Sequence, residues 1–207
     1  VRNLRDDAAD RRPRVDEPHV APLNALARQW RTPRDDGRDR FVPWFDPDGP
    51  GVSARVLVLM ESPGPRTVAA GDLGFSTEDN DDPTAAALRE ARTTAGMPRD
   101  GYLRWNVVPW PTCDSDGRRR PPLVRDLEGA RQALTELWSA LPELRVVVAV
   151  GTPALQGVMR LLTLDATARV VPVLGVPHPS PRNAHARAEA LDRLRLALAR
   201  AHAMAAG

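Results

Sequence analysis

The sequence predicts an α/β protein, a three-layer α/β/α domain around a central four-stranded parallel sheet. Two observations lead there. Four short apolar runs, at residues 55–60, 102–108, 146–150 and 170–176, are each followed by Pro, Gly or polar residues. That is the pattern of strands buried on both faces. Between them lie segments with apolar residues at helical spacing. Right-handed crossovers of such strand and helix units put parallel strands between two helical layers.

Residues 1–20 are mostly charged and lack apolar periodicity, so a solvated, flexible arm is expected before a single domain at 21–207. Leu23, Leu26, Ala27 and Trp30 follow i, i+3, i+4, i+7 spacing and predict a helix over 22–31. The aromatic, Pro-rich stretch 41–50 reads as a loop packed over the core. The first strand, ending at Met60, opens into a long loop, 61–82, and loops of this length tend to be functional. Asp82 or Asn80 can cap a helix that starts with Pro83. The second strand ends near Asn106, and a second long loop, 109–122, carries Arg118, Arg119 and Arg120. Leu127, Ala130, Leu134, Leu137 and Leu141 mark a helix that covers the sheet. Thr152 is placed to cap the helix after the third strand, and Pro172 predicts an edge position or an irregular start for the fourth strand. Leu191, Leu194 and Leu198 mark the closing helix.

Composition narrows the setting. The 207 residues suit one domain with a substantial core. A formal charge of +2 is too mild to establish a polyanion partner. The chain has no lysine, so every long basic side chain is Arg. Cys113 is the single cysteine, which rules out an internal disulfide and a cluster held by several thiolates of one chain. With neither a 20-residue apolar run nor a signal-peptide pattern, the expected location is cytoplasmic, nucleoid-associated if bacterial. No pair of His, Cys or carboxylates has metal-ligand spacing.

In a parallel sheet the carboxyl ends of the strands share one rim, where ligands bind. Here that rim receives Glu61 and Ser62, Asn106, Gly151 and Thr152, and His178. A carboxylate, an amide with donor and acceptor, and an imidazole can together recognise and expel a heterocycle. The stretches ESPGP (61–65) and HPSPRN (178–183), with LGFS around Phe75 and YLRWNVVPW around Asn106, resemble the uracil-DNA glycosylase superfamily over roughly residues 52–200. The resemblance implies that fold and a DNA glycosylase of base-excision repair, which hydrolyses the N-glycosidic bond of a flipped-out damaged pyrimidine, uracil first.

It also implies roles. Phe75 would stack on the base, Asn106 would read its edge, and Gly64 would lie against it. His178 would donate a hydrogen bond to the leaving base, and Glu61 would position or deprotonate water. Ser180, Pro181, Arg182 and Asn183 would contact DNA, with Arg182 entering the gap left by the base. The implied partner is DNA containing a damaged base, acted on by a monomer with no cofactor, no metal and no iron-sulfur cluster, since Cys113 cannot supply four thiolates. Ser62 stands where several families place an acid or amide that activates water, so it joins the candidate catalytic residues although a hydroxyl is a poor base. Met60 replaces the usual Gly. Two alternatives share these residues: a catalytically weak or inactive damage-binding module, motivated by Ser62, and an enzyme acting on a free nucleoside or nucleotide.

Overall fold

The computed structural model describes residues 4–31, 40–179 and 187–207, the first four of them as backbone. Strands β2 (Val56–Met60), β4 (Leu103–Asn106), β5 (Val146–Val150) and β6 (Val173–Val176) form one parallel sheet in the order β4-β2-β5-β6. The two central strands are buried at every position, as their unbroken Val and Leu runs require. β6 begins immediately after Pro172 and lies at an edge, where a missing N–H costs no ladder bond.

Side chains alternate along each strand, so the sheet has two apolar faces. On one, Leu57, Leu59, Trp105, Val147 and Ala149 pack against α2 (Ala21–Trp30), α5 (Val124–Ser139) and α6 (Thr152–Leu164). On the other, Val58, Met60, Val148 and Val150 meet α4 (Pro83–Thr94) and α7 (Arg187–Ala206). Phe45 and Trp105 stack with ring centroids 3.5 Å apart on the first face, at the β4 edge. α6 approaches the sheet closely because Gly157 has no side chain: a Cβ there would lie 2.2 Å from Val107 Cγ2. The α4 cap is as expected, with Asp82 Oδ1 accepting from the N–H groups of Thr84 and Ala85 at 2.9 Å each. For α6, Gly151 occupies the cap position and Thr152 is the first helical residue, so the expected threonine cap is not formed.

Two parts of the chain differ from the sequence reading. A two-stranded parallel ribbon, β1 (Trp44–Phe45) and β3 (Phe75–Ser76), runs beside β4, and a short helix, α3 (Pro65–Ala69), lies in the first long loop. Strands of two residues carry no periodicity to read. The arm, expected to be solvated, instead holds helix α1 (Leu4–Arg11) and a turn over Arg12–Arg14, and Val15 and Val20 are fully buried.

Charge accounts for this correction. Arg11 is only 6% exposed. Its Nε lies 3.2 Å from Asp46 Oδ1 and 2.9 Å from Asp48 Oδ2, and Nη2 meets Asp79. Arg99 joins Asp46 and Asp79 at 2.8 and 2.6 Å, and Glu78 accepts from Arg92 Nε at 2.9 Å and from the Tyr102 hydroxyl at 2.6 Å. A high charge density signals solvation only when the opposite charges are not waiting elsewhere in the chain. Here they are, in FDPDG and STEDND. Burial pushes the Asp46 carboxyl upward, and Arg11 is the largest influence opposing it. Removing one member of such a group leaves a buried charge unmatched. Arg11→Ala should therefore lower the unfolding free energy by about 3–5 kcal/mol in urea denaturation, a loss that a flexible arm would not show.

Candidate active site

Strand order places the polar rim residues. Counting across the sheet, the carboxyl ends deliver Asn106, Glu61, Gly151 and then His178, with neighbouring strands about 4.8 Å apart. The ladder continues past the strand ends. Val107 N–H donates to Met60 O at 2.8 Å, Val108 N–H to Glu61 O at 3.1 Å, and Gly151 N–H to Val176 O at 2.8 Å. These bonds fix the backbone from which the side chains project. β2 connects outward to β4 on one side, while β5 on its other side leads on to β6, so the chain's direction of travel reverses between β2 and β5. A crevice forms at such a point, and Glu61 stands at it.

Glu61 and Gly151 are fitted to each other. A Cβ on Gly151 would lie 2.3 Å from Glu61 Oε1, and Gly151 has φ +91°. Both the space and the backbone conformation demand glycine. The Glu61 carboxyl has no hydrogen-bond or ion-pair partner among the described residues, and burial alone raises its pKa. It is a poorly solvated carboxylate poised to take a proton.

His178 is also set by its surroundings. Burial lowers its pKa, Arg104 lowers it further, and Asp82 acts weakly in the opposite direction. The imidazole is therefore neutral at neutral pH and carries one N–H donor. Arg104 was not singled out from the sequence. It shares a sheet face with Asn106, two residues on, and its guanidinium donates to Thr77 O while Nε is buried with no partner. The available signal was the alternation in LRWN, polar at every second residue within an otherwise apolar strand. Asn106 is 6% exposed, and its carboxamide has no partner among the described residues. Buried amides are ordinarily hydrogen-bonded, which makes the Asn106 carboxamide a candidate ligand-reading group.

A family model, the Uracil DNA glycosylase superfamily, matches residues 47–201. The chain belongs to this superfamily. Comparison of the chain with curated proteins finds no match. The superfamily match begins after the arm and takes in all four strand ends, and membership implies DNA glycosylase activity in general.

The remaining residues assigned by resemblance to the superfamily fall into distinct situations. Phe75 is 1% exposed, packed with Val15 and Trp44. It does not present the open stacking face expected of it, because the docked arm covers it. Ser62 Oγ lies 3.5 Å from Thr112 Oγ1, which itself donates to Arg120 O at 2.6 Å. Its hydroxyl thus faces the second loop and no base. Gly64 caps α3, and open space lies where its side chain would be. Ser180, Pro181, Arg182 and Asn183 lie outside the described residues. Of the arginine run, Arg119 donates to Pro63 O and so braces the first motif, while Arg120 pairs with Asp126 at the start of α5. Among the described residues no group of three His, Cys, Asp or Glu could hold a metal ion.

The uncompensated Glu61 has a consequence for stability. With a folded pKa above the unfolded value, the protonated carboxyl is favoured by folding, so its contribution is present at acid pH and lost as pH rises through the folded pKa. Glu61→Gln should raise the melting temperature at neutral pH and leave it little changed in acid, as measured by calorimetry. Gly151→Ala should cost about 1–3 kcal/mol through its backbone conformation alone, as measured by urea denaturation.

Proposed function

We propose that the protein hydrolyses the N-glycosidic bond of a damaged pyrimidine, uracil first, in DNA. The observation that carries this reading is the trio of Asn106, Glu61 and His178 on one rim, each without a partner among the described residues. A site that leaves an amide, a carboxyl and a neutral imidazole unsatisfied is organised for a ligand with complementary groups.

The base reaches such a crevice only when its nucleotide is rotated out of the helix. Asn106 can then meet the donor and acceptor on a pyrimidine edge with its planar carboxamide. Glycosidic cleavage sends the bond's electron pair into the base and leaves positive charge on the sugar. The neutral His178 donates its N–H to the base oxygen where negative charge grows, and Arg104 adds a favourable potential there. Ionised Glu61 offsets the sugar's positive charge and orients the water whose oxygen bonds to the anomeric carbon, accepting its proton. With Ser62 turned toward Thr112, water activation rests on Glu61. Stacking on Phe75 requires the arm to shift from its ring. The same reading carries a cytoplasmic setting, nucleoid-associated if bacterial, as part of the proposal.

The test is release of base from labelled single and double strands containing uracil, with EDTA present and alkali cleavage as readout. Turnover is expected to rise with pH through the raised Glu61 pKa, since only the carboxylate supports the reaction. Glu61→Gln should remove that rise and slow turnover by about 10²–10⁴, and His178→Ala should cost about 10²–10³. No product from uracil or from a panel of deaminated and oxidised bases, with DNA binding retained, would instead make this a damage-binding module.

A further inference from the structure

We infer that Arg12, Arg28 and Arg31, gathered on the ring of Trp44, form a contact site for a phosphodiester of the DNA strand, separate from the base pocket. The inference rests on the DNA-acting reading above and adds to it a binding surface built by the arm and α2. Their guanidinium carbons lie 4.7, 5.1 and 3.6 Å from the ring centroid. A cation over an indole is favourable, but three cations brought to one ring repel one another. Among the described residues few anions stand against that repulsion. Arg12 Nε donates to Asp72 Oδ2 at 2.7 Å, Arg28 Nη2 to Asp16 Oδ1 at 2.6 Å, and Arg31 to Val42 O at 2.6 and 2.9 Å, with Asp72 Oδ1 3.7 Å away. Asp72 and Asp16 have side chains 62% and 67% exposed, so these pairs are solvated and weak. Burial, opposed by Asp72, lowers the pKa of Arg31, and Arg12 and Arg28 lower it further.

A simpler origin explains only part of the cluster. Basic residues suit a helix C-terminus, which accounts for Arg28 in the last turn of α2 and for Arg31 beyond it. It does not account for Arg12, which arrives from the arm and is held there with Arg11 and Arg14 on either side engaged by Asp48. The side chains of Arg12, Arg28 and Arg31 retain 36%, 42% and 23% of their exposure, so an oxyanion can reach them. Arginine offers a planar fork of donors suited to phosphate oxygens.

Position favours a DNA strand as the source of the anion. Trp44 stands in register with Phe75, and its indole N–H donates to Asp72 O at 2.9 Å. Asp72 belongs to the stretch joining α3, directly after ESPGP, to β3. β3 in turn is tied to β4, the strand that carries Asn106, by Ser76 Oγ donating to Arg104 O at 3.0 Å. The cluster therefore sits on the segment that leads from the first motif to the Asn106 edge, on the flank that a strand feeding the crevice would follow.

The test is fluorescence anisotropy of a labelled uracil-containing duplex over a series of salt concentrations. The proteins are wild type, Arg12→Gln/Arg28→Gln, Arg12→Lys/Arg28→Lys, and Arg195→Ala on α7 as a control from the opposite face. Gln keeps much of the stem over Trp44 and removes the charge; Arg28→Gln alone serves if the double variant does not fold by circular dichroism. Each lost phosphate contact should reduce the slope of log affinity against log salt by about 0.9. The Gln pair should therefore lose roughly one to two units of slope and bind at least about 10-fold more weakly at low salt, while the Lys pair and Arg195→Ala stay near wild type. A wild-type slope in the Gln variants overturns the site. If inorganic phosphate also raises the wild-type melting temperature and this rise is lost in the Gln variants, a wild-type slope means the cluster holds free phosphate and not DNA. Wild-type protein that shows no salt-dependent DNA binding overturns the DNA-acting reading itself, an outcome distinct from the first.

Discussion

Strand β2 is enclosed on every side: β4 and β5 flank it, and helical layers cover both faces. Nothing polar can be accommodated along it, and its five residues are all apolar and buried. The polar chemistry of this part of the chain is thereby displaced to where β2 emerges. Glu61, the first residue that can be polar, emerges between two neighbouring strand ends that supply an amide on one side and a glycine on the other. The residue is held there by backbone ladder bonds, with no side-chain partner for its carboxyl among the described residues. The apolar character of the central strand and the isolation of the acid are thus two results of one enclosure.

The arm and the rim obey opposite electrostatic rules. Around Arg11 and Arg99 every buried charge meets an opposite one, and the segment becomes part of the folded body. On the rim Glu61 has no counter-charge among the described residues, and Arg104 helps to hold the pKa of His178 down. The arm also covers Phe75, on which Val15 packs.

The sheet was legible in the sequence because buried parallel strands and amphipathic helices leave periodic signals at the scale of one element. Val56–Met60 and Val146–Val150 fall where their apolar runs end, and Asp82 caps its helix as its position before Pro83 suggests. Asn106, Glu61 and His178 were legible as polar residues at the ends of such runs. The β1 and β3 ribbon was not, since two residues cannot show a period. The arm was misread because its order depends on carboxylates 34 or more residues away, Asp46, Asp48 and Asp79, and no local pattern encodes a distant partner. From the sequence Gly151 is only one more residue at a strand end; the proximity of Glu61 shows what its missing side chain makes room for. The covering of Phe75 likewise follows from the arm's docking, which local sequence did not suggest.

The ordering of the strands also bears on how the chain is made. β2 pairs with β4, some 45 residues on, but its other edge waits for β5, about 90 residues further along the chain. During synthesis from the amino end, β2 therefore passes through an interval with one satisfied edge and one open edge. A five-residue run of Val, Leu and Met with an unpaired edge is a site where chains can join one another instead of folding. The same enclosure that positions Glu61 in the finished protein makes the nascent protein dependent on the prompt arrival of Val146–Val150.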